Sequence, residues 1–166
     1  MARLDTSLEQ AGAEFLVLGR LLIEGIQAFK AYTNFPGYDI IATNPEKNLS
    51  CRIQVKSRWA TDYDGGFPIR NFDCDFVVLV ALNRGYRGYR RRKKSAADDN
   101  GRREPQFYVM PVEIVQLAQD PKSGWGKVFL RRMDEPTQYL SNWSLVREFL
   151  QYEDTEANGD RQLDMG

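Results

Sequence analysis

The chain has 166 residues, 42% hydrophobic and 28% charged, which is the size and make-up of one globular domain rather than a multidomain enzyme or a disordered chain. Its 23 basic and 23 acidic residues cancel, and it has no histidine. Serine triads, Cys-His nucleophiles, His-ligated zinc and histidine-based ribonuclease chemistry are thereby excluded.

The first predicted element is a long helix over residues 7–31, opened by the capping patterns Thr6 with Glu9 or Ser7 with Gln10. Projected at about 100° per residue around Leu18, the residues Ala11, Phe15, Leu22, Gly25, Ile26 and Phe29 form an apolar stripe expected to face the core. Glu14 falls inside that stripe, about 40° from its centre. A carboxylate there is costly unless a cation meets it, either an interior Arg or Lys or a metal ion.

Extended segments follow. A strand is expected over residues 31–35, then the turn Pro36-Gly37, a second strand over 38–43 carrying Asp39, and a polar reversal at 44–48. Residues 49–59 alternate with period two: Cys51, Ile53, Val55 and Ser57 on one face, Arg52, Gln54, Lys56 and Arg58 on the other. Gln54 and Lys56 therefore point the same way. Residues 60–71 read as loop, 75–82 as a strand buried on both faces, 106–110 as a further strand ended by Pro111, 112–119 as a short helix, 128–132 as a strand and 143–152 as an amphipathic helix. A single α/β domain over residues 1–152, with an N-terminal helix packed on a mixed central sheet, is expected.

The zero net charge hides segregation. Between residues 84 and 103 nine basic side chains face Asp98 and Asp99, a local balance of +7, whereas from Glu148 onward the balance is −5. The basic stretch begins with the tandem Arg84-Gly85-Tyr86-Arg87-Gly88-Tyr89-Arg90 and continues through Arg91, Arg92, Lys93 and Lys94. Flexible glycine, stacking tyrosine and forked arginine suit a nucleic-acid backbone, while charge alone also suits a solvated loop. Residues 84–105 are taken as a basic loop insertion and 153–166 as an acidic tail. No apolar run approaches the roughly 20 residues of a membrane span, and Asp5 and Glu9 stand where a secretory leader would be basic, so a cytoplasmic protein is expected. Cys51 and Cys74 lack metal-site spacing and read as buried thiols.

A helix-borne glutamate, Pro36-Gly37-Tyr38-Asp39 on one strand and Ile53-Gln54-Val55-Lys56 on the next resemble the PD-(D/E)XK nuclease superfamily. The blocks Gly37-Tyr38-Asp39-Ile40-Ile41-Ala42, Asp75-Phe76-Val77-Val78 and Phe107-Tyr108-Val109-Met110-Pro111 are similar to the branch with archaeal Holliday-junction resolvases and some homing endonucleases. The resemblance covers roughly residues 10–115. It implies a restriction-endonuclease-like core and a Mg2+-dependent endodeoxyribonuclease, Mn2+ substituting, that works on DNA as a homodimer or higher homo-oligomer. It also implies that Asp39, Gln54, the Val55 carbonyl and Glu14 hold the metal, and that Asp39, Gln54, Lys56 and Glu14 are catalytic. Arg52, Arg58 and the basic stretch (Arg84, Arg87, Arg90, Arg91, Arg92, Lys93 and Lys94) are the expected nucleic-acid contacts. The family's usual acid is Gln54 here, which removes one negative charge and keeps a non-catalytic nucleic-acid-binding module as the alternative.

Overall fold

A computed structural model describes residues 6–31, 37–87 and 100–154. Its elements in chain order are helix α1 (Thr6–Ile23), strands β1 (Gln27–Lys30), β2 (Ile40–Asn44), β3 (Leu49–Arg58), β4 (Gly66–Pro68), β5 (Phe76–Ala81) and β6 (Gln106–Pro111), helix α2 (Val112–Leu117), strand β7 (Lys127–Phe129), two 3-10 turns (Leu130–Arg132 and Pro136–Tyr139), and helix α3 (Ser144–Phe149).

The first helix is shorter than its periodicity predicts. Gly25 sits at φ +76°, its N–H bonds Leu22 O, and the Ile26 N–H reaches back to Leu21 O. This is a Schellman closure, which a left-handed glycine permits and which ends the helix. The chain then turns back as β1, so Lys30 lies on a strand. The expected strand over 31–35 falls almost wholly on residues 32–36, outside the described residues. The phase of α1 also differs from expectation. Ala13, Val17 and Leu21 are its buried residues, whereas Phe15, Leu22 and Phe29 are exposed. Apolar residues surround most of α1, so periodicity alone does not choose the inward arc, and the smaller side chains of Ala13 and Val17 fit closest to the sheet.

Five strands form one mixed sheet in the order β1-β2-β3-β5-β6. The β3–β5 pair is parallel, and the pairs β1–β2, β2–β3 and β5–β6 are antiparallel. The predicted alternation of β3 holds: Cys51, Ile53 and Val55 are buried under α1 and α3 with Ala13, Val17, Leu21, Val146 and Leu150. All six residues of β5 are buried, because its other face packs Val77 and Leu79 against Phe67, Met110, Val115 and Val128. That second layer contains α2 and a small β4–β7 sheet. Residues 66–68, expected as loop, form β4 by pairing with β7, and residues 130–132, expected as strand, form a 3-10 turn. Among the described residues no helix is long and apolar enough to cross a membrane.

Candidate active site and nucleic-acid interface

The turn before β2 places Asp39. Gly37 has φ +100°, and a Cβ there would lie 2.7 Å from Asn71 Oδ1 and 3.0 Å from the Asp73 carbonyl oxygen, so the position requires glycine. Asp39 is then fixed between two strands: its N–H donates to Ile53 O (2.9 Å) and its carbonyl accepts from the Ala31 N–H (2.9 Å). Its carboxylate Oδ2 accepts the Val55 N–H at 2.7 Å. Asp39 directly precedes the Ile40↔Ile53 pair at which the β2–β3 register ends, and Gln54 and Lys56 lie two residues apart on one face of β3. The Gln54 Oε1 atom is buried and has no hydrogen-bond partner.

Glu14 approaches from α1. Its Oε2 pairs with Lys30 Nζ at 2.9 Å, an interior lysine being one of the partners its place in the stripe allowed, and its Oε1 accepts from Gln10 Nε2 at 3.1 Å. Gln10 Nε2 also donates to the Val55 carbonyl (3.0 Å), and Gln10 Oε1 accepts from the Ser57 hydroxyl (3.1 Å). One amide side chain thus joins the helix glutamate to the β3 backbone. Burial pushes the Asp39 carboxyl above its ordinary pKa; the Val55 N–H opposes the shift, nearby Glu14 adds to it, and Lys56 and Lys30 offset part of it. Burial likewise lowers the Lys56 pKa, against the pull of Asp39. Glu14, Asp39, Val55 and Lys56 therefore form one interacting group, and Gln54 lies on the same face of β3 as Lys56. The cysteines take no part as thiolates: burial raises Cys51 to about 12 and Cys74 to about 11.

Lys56 also lines a groove of about 1240 Å3 whose walls include Arg58, Arg84, Arg87 and Arg102 and the aromatic rings of Trp59, Tyr63 and Tyr86. The stem of the basic loop is anchored there. Thr61 N–H donates to Gly85 O, Arg84 N–H to Trp59 O, Tyr86 N–H to Asn100 O, and Arg87 N–H to Asp62 Oδ1 at 2.6 Å. Cations and stacking faces around one concavity are what a phosphate backbone with accessible bases would meet. Arg90, Arg91, Arg92, Lys93 and Lys94 lie outside the described residues. Arg52 lies outside the groove lining; its guanidinium bonds Asp73 at 2.6 Å and stands 3.7 Å from Asp75.

Sequence pattern alone does not bring Gln10, Lys30 or Arg102 into the site. Gln10 has a usable signal, its i, i+4 spacing to Glu14. Lys30 has none while its segment reads as helix.

No family model and no curated protein matches the chain. Among solved structures it is similar to a bacterial homing endonuclease, I-Ssp6803I, with TM-score 0.51 and 20% identity, covering 87% of this chain and 93% of that one. It is also similar to Hjc, a Holliday junction resolvase from the archaeal hyperthermophile Archaeoglobus fulgidus, with TM-score 0.44 and 16% identity, covering 75% of this chain and 87% of that one. The first likeness shows the fold, which is of the restriction-endonuclease-like kind found in PD-(D/E)XK nucleases.

Proposed function

We propose that this chain is a divalent-metal-dependent DNA endonuclease that hydrolyses phosphodiester bonds, with Gln54 in the place of the second acid. The observation that carries this reading is the buried, partnerless Gln54 Oε1 on the same face of β3 as Lys56, the lysine that interacts with the Asp39 carboxylate. A buried acceptor without a donor is costly unless a ligand completes it. The donor set fits Mg2+ or Mn2+: Asp39 and Glu14 carboxylates, the Gln54 amide oxygen and the Val55 carbonyl are all hard oxygens. Bound there, such an ion would polarise the scissile phosphate and lower the pKa of water.

The protein's own residues supply the rest. Lys56 joins the carboxylate cluster to the groove, so its ammonium can hydrogen-bond a phosphate oxygen as charge builds on it and can orient the attacking water. Asp39, held by the Val55 N–H, offsets part of the burial that lowers the Lys56 pKa. Gln10 holds the Val55 carbonyl and Glu14 in register. Arg58, Arg84, Arg87 and Arg102 position the phosphate backbone. A homodimer or higher homo-oligomer would bring a second site to the second strand.

A second reading, a non-catalytic nucleic-acid-binding module, is favoured by one fact: among the described residues no three His, Cys, Asp or Glu side chains cluster as a metal site. Supercoiled plasmid incubated with Mg2+ or Mn2+ separates the two. The nuclease nicks it, and Lys56→Ala and Asp39→Ala do not. If the wild type shifts DNA on a gel and never cuts it, the binding module stands in its place.

A further inference from the structure

Helix α1 is apolar on its outside as well as its inside. Opposite Ala13, Val17 and Leu21 runs an arc of about 160° that contains only apolar residues and glycine. In it Leu8 is 76%, Ile23 75%, Phe15 56% and Leu16 40% exposed. A helix apolar all round is ordinarily a buried one. With Leu22, also on the arc, and Phe29, on the edge strand β1, both exposed, these side chains offer about 700 Å2 if a fully exposed large apolar residue presents about 200 Å2. The largest patch on a typical monomer is about 300–600 Å2, and one side of a standard stable interface is about 800 Å2.

The order of residues along the middle and one side of the arc indicates the occupant. Leu8, Gly12, Phe15, Leu16, Gly19 and Ile23 are symmetric about the midpoint between Phe15 and Leu16, whereas Ala11, Leu18 and Leu22, on the other side of the arc, are not. An antiparallel copy of the same helix across a two-fold axis sets Leu8 against the second copy's Ile23, Gly12 against its Gly19 and Phe15 against its Leu16. Self-complementarity of this kind is what an isologous interface requires. The glycines supply a second, independent argument. No atom lies within 4 Å of a Cβ built on Gly12 or Gly19, yet each glycine inside a helix costs about 1 kcal/mol relative to alanine. Two of them facing each other let helix backbones approach closely.

We infer that the outer face of α1 is a self-association surface on which a second copy of this chain docks its own α1, antiparallel. Gln10 and Glu14 lie on the inward side of α1, where Gln10 bonds the Val55 carbonyl and the Ser57 hydroxyl, so docking on the outer face would also fix the helix that carries them. The Phe15 ring, which stacks against Lys30 Nζ at 4.3 Å, would shield the Lys30–Glu14 pair from water.

Light scattering of the purified full chain, without DNA or metal, tests this independently of any nuclease activity. The wild type is expected at twice the 19.2 kDa of one chain. Leu8→Glu alone and Ile23→Lys alone should each weaken association by about tenfold or more, by placing a charge against an apolar partner. The double variant should recover to near wild type, because its two introduced charges meet across the axis. Circular dichroism of each variant confirms that the exposed substitutions leave the chain folded. A monomeric wild type, single variants that associate unchanged, or a double variant that fails to recover would each overturn the proposal. Dimerisation appearing only on deletion of residues 155–166 would also overturn it, assigning the arc to the chain's own C-terminal segment.

Discussion

Two aspartates in this molecule do the same local job and end in opposite electrostatic states. Asp39, beside β3, accepts the Val55 N–H at 2.7 Å, and Asp64, before β4, accepts the Gly66 N–H at 3.0 Å. Both have a lysine nearby. At Asp64, Lys127 Nζ closes a 2.7 Å hydrogen bond with Oδ2, and that bond draws the carboxyl below its ordinary pKa. At Asp39 burial dominates, Glu14 adds like charge, and Lys56 and Lys30 only partly compensate, so the pKa rises. A carboxylate whose partners already satisfy it stabilises a loop. One whose burial exceeds its compensation is left with a raised pKa, which is the condition the proposed metal site would relieve.

The largest expected effect breaks the pair apart. Asp39→Asn and Lys56→Ala should each lower plasmid cleavage by about 10³-fold, within the range for losing a positioned charge or acid–base group, whereas Asp64→Asn should leave cleavage unchanged. Stability should run the other way. Because folding raises the Asp39 pKa, its charge opposes folding at pH values above the unfolded carboxylate pKa, so Asp39→Asn in chelator should not lower the melting temperature. A clear drop for Asp39→Asn in differential scanning calorimetry would make Asp39 a structural residue like Asp64.

Gln54→Glu sharpens the contrast, with a smaller effect expected. It restores a second acid beside Asp39, so divalent binding should tighten by about tenfold as ligand charge rises, read by calorimetric titration with Mn2+. In chelator the same variant should melt lower than wild type, since two like charges then share a half-buried place. Unchanged Mn2+ affinity would remove Gln54 from the ligand set.

Much of this site was legible in the sequence because it depends on short-range geometry. Strand parity alone places Gln54 and Lys56 on one face of β3, and the Pro36-Gly37 turn signal places Asp39 at the start of the second strand, which in the structure begins one residue later, at Ile40. Helix phase was not legible. Apolar residues cover most of α1, and the choice of Ala13, Val17 and Leu21 as the inward set depends on how closely the helix can approach the sheet. The end of α1 depends on one backbone conformation at Gly25, which a periodicity argument passes over, and with it went Lys30, the partner of Glu14. The three residues of β4 are too few for alternation to register, and they form a strand only because β7 pairs with them. Arg102 reaches the groove through an isolated bridge between Arg84 and Arg102, a long-range closure that no local pattern encodes.

The groove arginines should show a weaker effect than the cluster. Arg84→Ala with Arg102→Ala is expected to weaken DNA binding several-fold at moderate salt and to reduce the slope of log affinity against log salt by about 0.9 for each phosphate no longer neutralised. Fluorescence anisotropy over a salt series gives both quantities. Arg52→Ala, whose side chain is tied to Asp73 and Asp75, should leave that slope unchanged. An equal fall in slope for Arg52→Ala would place the DNA path over the far end of β3 as well.

The smallest effect expected lies at Asp64. Its folded pKa is depressed, chiefly by Lys127, so the stabilisation it gives is present above the unfolded carboxylate pKa and is lost as pH falls through the folded one. The pair is solvent-exposed on both sides, with 30% and 47% of the two side chains accessible, so screening keeps its contribution below about 1 kcal/mol. Asp64→Asn should therefore lower the melting temperature slightly at pH 7 and converge with wild type in acid, below the depressed pKa. Raising the salt at pH 7 should shrink the difference, because an exposed ion pair is screened within a Debye length. A difference that persists in acid and in high salt would mean that Asp64 acts through its hydrogen bond to the Gly66 N–H, which asparagine weakens, rather than through charge. The β4 loop would then be held by the same kind of main-chain hydrogen bond that Asp39 makes, and the two aspartates would differ only in burial.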